Sequence, residues 1–164
     1  MLRVLIADDE SKVCQLIEKL VDWDVLGMEV VAVAENGIEA LEKIKEFHPD
    51  IVITDIRMPG YDGLDLIRLG KEEAPNTEFV IISGYRHFEY AQMAIRYGVN
   101  AYLLKPIRKD ELTETLKRLS AHFKEQTEQL SLEEKRQRAI RSDEKNLRQA
   151  FLQDLVGRRN KEVL

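Results

Sequence analysis

The stretch Ile51-Val52-Ile53-Thr54-Asp55-Ile56-Arg57-Met58-Pro59-Gly60 decides how this chain folds. Four residues of apolar or β-branched character run straight into an acid, and a Pro-Gly turn follows. A strand buried on both faces reads as a continuous apolar run of this kind, because helices cover both sides of a parallel sheet. Asp55 therefore falls where the strand stops, at the carboxyl edge of the sheet. Open α/β sheets place their ligands at that edge.

The same pattern recurs on either side. Leu2-Arg3-Val4-Leu5-Ile6-Ala7 predicts a first buried strand that ends in Asp8-Asp9-Glu10. Ser11 is the expected N-cap of a first helix with Val13, Leu16, Ile17, Leu20 and Val21 on one face. Asp22-Trp23-Asp24-Val25-Leu26-Gly27 breaks that helix, and residues 28–34 form a second strand. Asn36-Gly37 makes the turn into a second helix with the stripe Ile38, Leu41, Ile44 and Lys45, which His48-Pro49-Asp50 stops. Beyond Asp55 a third helix over 63–71 carries Leu64, Ile67 and Leu69, and Phe79-Val80-Ile81-Ile82 is a fourth strand capped by Ser83-Gly84. A fourth helix over 88–97 ends at Gly98, a residue suited to a left-handed C-cap. Ala101-Tyr102-Leu103-Leu104 is a fifth strand, followed by Lys105-Pro106.

Strands and helices thus alternate five times. Such alternation forces parallel strands and right-handed crossovers. The expected fold is α/β: a doubly wound five-stranded parallel sheet in the flavodoxin-like order 2-1-3-4-5, with a switch point between strands one and three. That order brings Asp8 and Asp9 next to Asp55.

The 164 residues suffice for one domain plus an appendage. The hydrophobic share of 44% is ordinary and the charged share of 34% is high, with the excess near the C-terminus. A net charge of −5 argues against a general nucleic-acid-binding surface. The single cysteine, Cys14, excludes an internal disulfide and disfavours a zinc site; inside an apolar helical pattern it reads as a buried core thiol. The N-terminus lacks the pattern of a signal peptide and no apolar run reaches the length of a membrane span, so a cytoplasmic setting is expected.

From about Asp110 the character changes. Glu111 to roughly Gly157 holds no proline and no earlier glycine and is crowded with Glu, Lys, Arg and Gln. Leu112, Leu116, Leu119, Phe123, Gln126 and Leu130 follow alternating four- and three-residue steps, and the count continues through Glu133, Gln137, Ile140, Glu144, Leu147 and Phe151. This predicts a long helix with a seam that is often polar. Two readings stay open: a solvated helical linker, and a parallel coiled coil that dimerises the protein. Phe151 to Val156 regains an apolar face. The division expected is a domain over 1–120 and a charged helical linker over 121–164, leading to a domain beyond this sequence.

Three carboxylates, Asp8, Asp9 and Asp55, are expected to converge at strand ends. Such packing is unfavourable without a cation, and a hard divalent ion with oxygen ligands, Mg²⁺ above all, resolves it. An acidic pair alone is a weak signal, because surface turns are full of them; its place after a buried first strand is what gives it weight. A carboxylate nucleophile that forms an aspartyl phosphate is an established catalytic solution, and Asp55 is the candidate. Lys105 follows an apolar strand and precedes Pro106, so its ammonium can reach over the sheet edge toward Asp55; a bond to proline can also be cis at modest cost. For a single lysine the plainer reading is a solvated loop residue. Ser83 ends the fourth strand beside the same place, as a phosphoryl donor or a mere turn serine. Tyr102 is a core aromatic or a ring that swings inward once Ser83 moves.

These motifs together resemble a response-regulator receiver domain of two-component signalling, a CheY-like fold. Asp8 and Asp9 match its acidic pair, Asp55 its phosphoacceptor, Ser83 its hydroxyl position, Tyr102 its switch aromatic, and Lys105-Pro106 its lysine and following proline. The resemblance covers residues 1 to about 120. It implies that Asp9, Asp55 and the backbone carbonyl of Arg57 bind Mg²⁺, with Asp8 acting mainly through water, and that a sensor histidine kinase supplies the phosphoryl group. It implies slow hydrolysis of the phosphoaspartate by the domain itself, in a signalling protein rather than an enzyme proper. Asp22 to Gly27, Thr54 to Gly60 and Ser83 to Ala91 narrow the likeness to receivers of regulators that carry a C-terminal AraC-type helix-turn-helix domain. DNA would then be bound only through that further domain. Arg86-His87 departs from the acidic residues expected after Gly-Tyr. A homodimer is expected through the long helix or through the face of the fourth helix, fifth strand and fifth helix.

Two readings compete. A metal-dependent phosphatase with an aspartyl nucleophile also uses acids at a sheet edge, but usually spaces two acids one residue apart after the first strand; the adjacent pair and the lone Asp55 argue against it. A stand-alone interaction module would use the acids only as turn residues.

Overall fold

The computed structural model describes residues 1–84 and 88–163, with the backbone alone at 88, 143, 144 and 150–163. The element order is β1 (Leu2–Ala7), α1 (Ser11–Leu20), α2 (Trp23–Leu26), β2 (Met28–Ala34), α3 (Gly37–Phe47), β3 (Ile51–Thr54), α4 (Gly63–Glu73), β4 (Glu78–Ser83), α5 (Phe88–Arg96), β5 (Ala101–Leu104) and α6 (Lys109–Val163). The single turn α2, ended by Gly27 at φ +69°, occupies what the sequence marks only as a break. The sheet runs β2-β1-β3-β4-β5, parallel throughout, as the alternation requires. The chain forms two compact units, Met1–Ser120 and Ala121–Leu164. Among the described residues no helix is long and apolar enough to cross a membrane.

The central strands are buried because helices cover both faces. Leu5, Ala7, Val52, Phe79 and Ile81 pack with Ala40, Ile44, Leu66 and Ile67 of α3 and α4 into one core. Val4, Ile6, Ile53, Val80 and Ile82 alternate to the other face; Cys14 and Ile17 of α1 and Leu112, Leu116 and Leu119 of α6 are buried as well.

The helix faces differ in places from the sequence pattern. In α1 it is Cys14 and Ile17 that are buried, while Leu16 is exposed; the N-cap is Glu10, and Ser11 is the first helical residue. In α3 the inward face is Gly37, Ala40, Leu41 and Ile44, whereas Ile38 is exposed and Lys45 pairs at the surface with Glu73. Close approach of a helix to its neighbours needs small residues at the contact, as for Gly37 against the Tyr61 carbonyl, and an apolar count passes over glycine and alanine. Asn36 caps α3, its Oδ1 accepting from the Glu39 N–H at 2.7 Å. Ser83 belongs to β4 and is fully buried. The long helix begins at Lys109 and continues past Gly157 to Val163. The departure at Arg86-His87 and the apolar face over Phe151 to Val156 lie outside the described residues and side chains.

Candidate functional site

Strand register builds the site. Ala7 of β1 pairs with Thr54 of β3, so Asp8 and Asp55, the next residue of each strand, emerge side by side at the carboxyl edge. Asp55 N–H donates to the Ala7 carbonyl at 3.0 Å and Asp8 N–H to the Ala34 carbonyl at 3.1 Å, fixing both exits. Ser83 pairs with Leu104 across β4 and β5, and Lys105 N–H donates to the Ser83 carbonyl at 2.8 Å. Lys105 therefore starts from the same rim. The Lys105–Pro106 bond is cis.

The side chains meet. Lys105 Nζ lies 3.1 Å from Asp55 Oδ2 and 3.2 Å from Asp8 Oδ2. The other oxygens are also held: Asp55 Oδ1 accepts from the Ile56 N–H at 2.7 Å, and Asp8 Oδ1 from the Glu10 N–H at 2.9 Å. Asp8 and Asp55 are buried while Asp9 is exposed, and the three offer carboxylate oxygens within 4.8 Å of one another. A cleft of about 380 Å³ opens over them, lined by Asp9, Glu10, Asp55, Arg57, Gly84 and Lys105. Arg57, whose carbonyl was the expected fourth ligand, also donates from its guanidinium to the Tyr90 hydroxyl at 3.3 Å.

Electrostatics follow from the geometry. Burial is the main force pushing the Asp8 carboxyl above its ordinary value; the charge on Asp55 adds to it, and the Glu10 N–H and Lys105 oppose it. For Lys105 burial works downward, but Asp55 and Asp8 together outweigh it and raise the ammonium. The two partners thus disagree about their pair: the amine gains from it, while the buried acid remains the costly member. A single ammonium also leaves three carboxylates under-neutralised. The donor set is all oxygen, clustered and partly buried, which fits a hard divalent cation.

Tyr102 on β5 is half-buried against the core beside Tyr90. Burial raises its phenol above the ordinary value, a hydrogen bond with Ser83 works against that, and the charge on Asp55 adds to it. Its ring is thus partly buried against the core and linked to Ser83.

Part of the site has no counterpart in the sequence reading. Backbone amides of Glu10 and Ile56 orient the two buried carboxylates, and an amide carries no side-chain signature. Two glycines clamp the loop after Asp55. A Cβ on Gly63 would lie 2.2 Å from the Asp55 carbonyl oxygen, and one on Gly37 would lie 1.8 Å from that of Tyr61. Gly63 N–H donates to the Ile56 carbonyl and Gly37 N–H to the Pro59 carbonyl. A signal was there to be read: each glycine opens a helix directly after an Asx cap, Asn36 and Asp62.

Comparison with known proteins agrees with this arrangement. The chain is 41% identical over 126 residues to the uncharacterized transcriptional regulatory protein YesN of Bacillus subtilis, covering 77% of this chain and 34% of that protein. It is 36% identical over 129 residues to the transcriptional regulatory protein HptR of Staphylococcus aureus, covering 79% and 50%. The chain thus spans a third to a half of these relatives. Among solved structures, the REC domain of AraT, a response regulator from Geobacillus stearothermophilus, superposes with a TM-score of 0.73 at 40% identity, covering 77% of this chain and 98% of that one. Receiver domains typically hold Mg²⁺ in an acidic pocket, and Asp8, Asp9 and Asp55 form an acidic cluster here. Residues 4–117 match the response regulator receiver domain, and the chain belongs to that family.

Proposed function

We propose that Asp55 is the phosphoacceptor of this receiver and takes its phosphoryl group from a phosphohistidine on a sensor histidine kinase. The observation that carries the reading is the position of Lys105 between Asp8 and Asp55. Asp55 is held by the Ile56 N–H and Lys105 and lines the cleft, where its carboxylate would meet an incoming phosphoryl group. Lys105 neutralises Asp55 before the reaction and pairs with a phosphoryl oxygen after it. Asp8, Asp9, Asp55 and the Arg57 carbonyl are the residues that would hold Mg²⁺. When bound, the ion would neutralise charge on the transferring group. Ser83 is the hydroxyl that donates to a phosphoryl oxygen, and Tyr102, hydrogen-bonded to Ser83, carries the change to the face of α5, β5 and α6. The phosphorylated charge favours one arrangement of that face over the other, and a full reversal of populations requires roughly 5.5 kcal/mol of differential binding.

In the whole protein we assign residues 1–120 to sensing and residues 121–164 to a linker toward a DNA-binding output, as in a cytoplasmic transcriptional regulator. Its partners would be the kinase, a second copy through α6 or the α5-β5-α6 face, and DNA through the output domain only. The test is intact-mass analysis after incubation with acetyl phosphate and Mg²⁺. Wild type should gain the mass of one phosphoryl group and Asp55→Ala none. Equal labelling of the two would reject Asp55. Sustained turnover of a phosphate ester that Asp55→Asn abolishes would favour a phosphatase instead.

A further inference from the structure

Residues 121–149 of α6 are helical throughout and expose more large apolar surface than a solvated linker requires. Leu130, Ile140 and Leu147 are 66%, 55% and 72% exposed, and all three lie on the seam that begins with Phe123 in this stretch. Gln126, Glu133, Gln137 and Glu144 fill the rest of the seam between Phe123 and Leu147. Charge is divided along the same stretch. Residues 121–134 carry four glutamates against one lysine, while residues 135–149 carry six lysines and arginines against two acids.

These two patterns select an orientation. In a parallel pair in register, acidic half would lie on acidic half and basic on basic, and Glu133 would meet Glu133 inside the seam. In an antiparallel pair, seam positions of the two kinds face each other across the axis. With Phe123 opposite Leu147, the same register sets Leu130 opposite Ile140 and Glu133 opposite Gln137. Apolar residues then meet apolar ones, and the acidic half of each copy lies along the basic half of the other. The apolar layers extend over about 36 Å of helix at ~1.5 Å per residue.

We infer that the segment 121–149 pairs with the same segment of a second copy of this chain, running antiparallel. The occupant is fixed by self-complementarity: the segment supplies both the acidic and the basic surface, in a register that also aligns its apolar residues. The inference uses no residue of the acid site, so it stands or falls apart from the phosphoryl chemistry.

Disulfide trapping tests it. Leu130→Cys and Ile140→Cys are made separately in a Cys14→Ser background and oxidised alone and as an equal mixture. The antiparallel pair requires the mixture to give several-fold more cross-linked dimer than either variant alone, joined between positions 130 and 140. Sedimentation of the unsubstituted chain gives an independent readout, with a dimer that weakens as salt rises because the attraction is screened. Efficient cross-linking of Leu130→Cys to itself, or a dimer that strengthens with salt, would establish a parallel pair and overturn the inference. A chain that stays monomeric at every accessible concentration would overturn it as well.

Discussion

Lys105 and Asp55 stand 50 positions apart in the chain, and the register of the two parallel pairs β3–β4 and β4–β5 brings Lys105 Nζ to 3.1 Å from Asp55 Oδ2. The ammonium reaches Asp8 at nearly the same distance. One cation thus holds together two buried acids that would otherwise repel.

Lys105→Ala should therefore destabilise the domain, by about 2 kcal/mol. That is below the roughly 3–5 kcal/mol for breaking a fully buried pair, because the lysine is partly solvated. Added Mg²⁺ should recover much of the loss, since the same acids gain a replacement cation. Urea unfolding with and without Mg²⁺ measures both effects; a variant as stable as wild type without metal would contradict this account of the site.

The loop after Asp55 should be intolerant of a single methyl group. Gly63→Ala would press on the Asp55 carbonyl and Gly37→Ala on that of Tyr61. Backbone does not yield as a flexible side-chain end does, so the loop must move. Each variant should lower Mg²⁺ affinity by about tenfold, ~1.4 kcal/mol. Titration calorimetry against a core variant of matched stability, such as Ile17→Val, separates loop position from general loosening.

Cys14 should be inert in the folded protein. Burial, with the charge on Asp8 adding to it, pushes its thiol from the ordinary 9.0 up to about 11. The raised value means that the folded state keeps the proton while the unfolded chain ionises. The thiol's contribution to stability is thus present below pH 9.0 and declines as pH rises toward about 11. Iodoacetamide at mildly alkaline pH should leave Cys14 unmodified until denaturant is added. Rapid labelling of the native protein would show that α1 opens readily.

Tyr102→Phe should cost about 1 kcal/mol, the net worth of one hydrogen bond, because the ring still packs against the core while the bond with Ser83 is lost. Phosphoryl uptake at Asp55 should be unchanged, since the phenol takes no part in the transfer. Chemical denaturation and intact mass, run on the same sample, check both halves of that statement.

The sheet was legible because buried parallel strands are continuous apolar runs, and Ile51 to Thr54 has no other good reading. The acid site was legible for the same reason: Asp8, Asp55 and Lys105 each follow directly on such a run, so strand order alone brings them to one rim. Helix faces were less legible. Leu16 and Ile38 fit an apolar stripe yet are exposed, while Ala40 and Gly37 are buried because close approach to a neighbour selects for small size. The orientation of the carboxylates was not legible at all. It rests on the amides of Glu10 and Ile56, which every residue but proline carries.

Locating the phosphoryl group on the chain decides whether Asp55 is the acceptor. After reaction with acetyl phosphate and Mg²⁺, borohydride reduces an acyl phosphate to the alcohol, turning a phosphorylated aspartate into homoserine, and peptide sequencing by mass spectrometry reads its position. Homoserine should appear at position 55, and not when Lys105 is replaced by alanine. Homoserine at another acid, or none in the wild-type chain, would contradict that assignment.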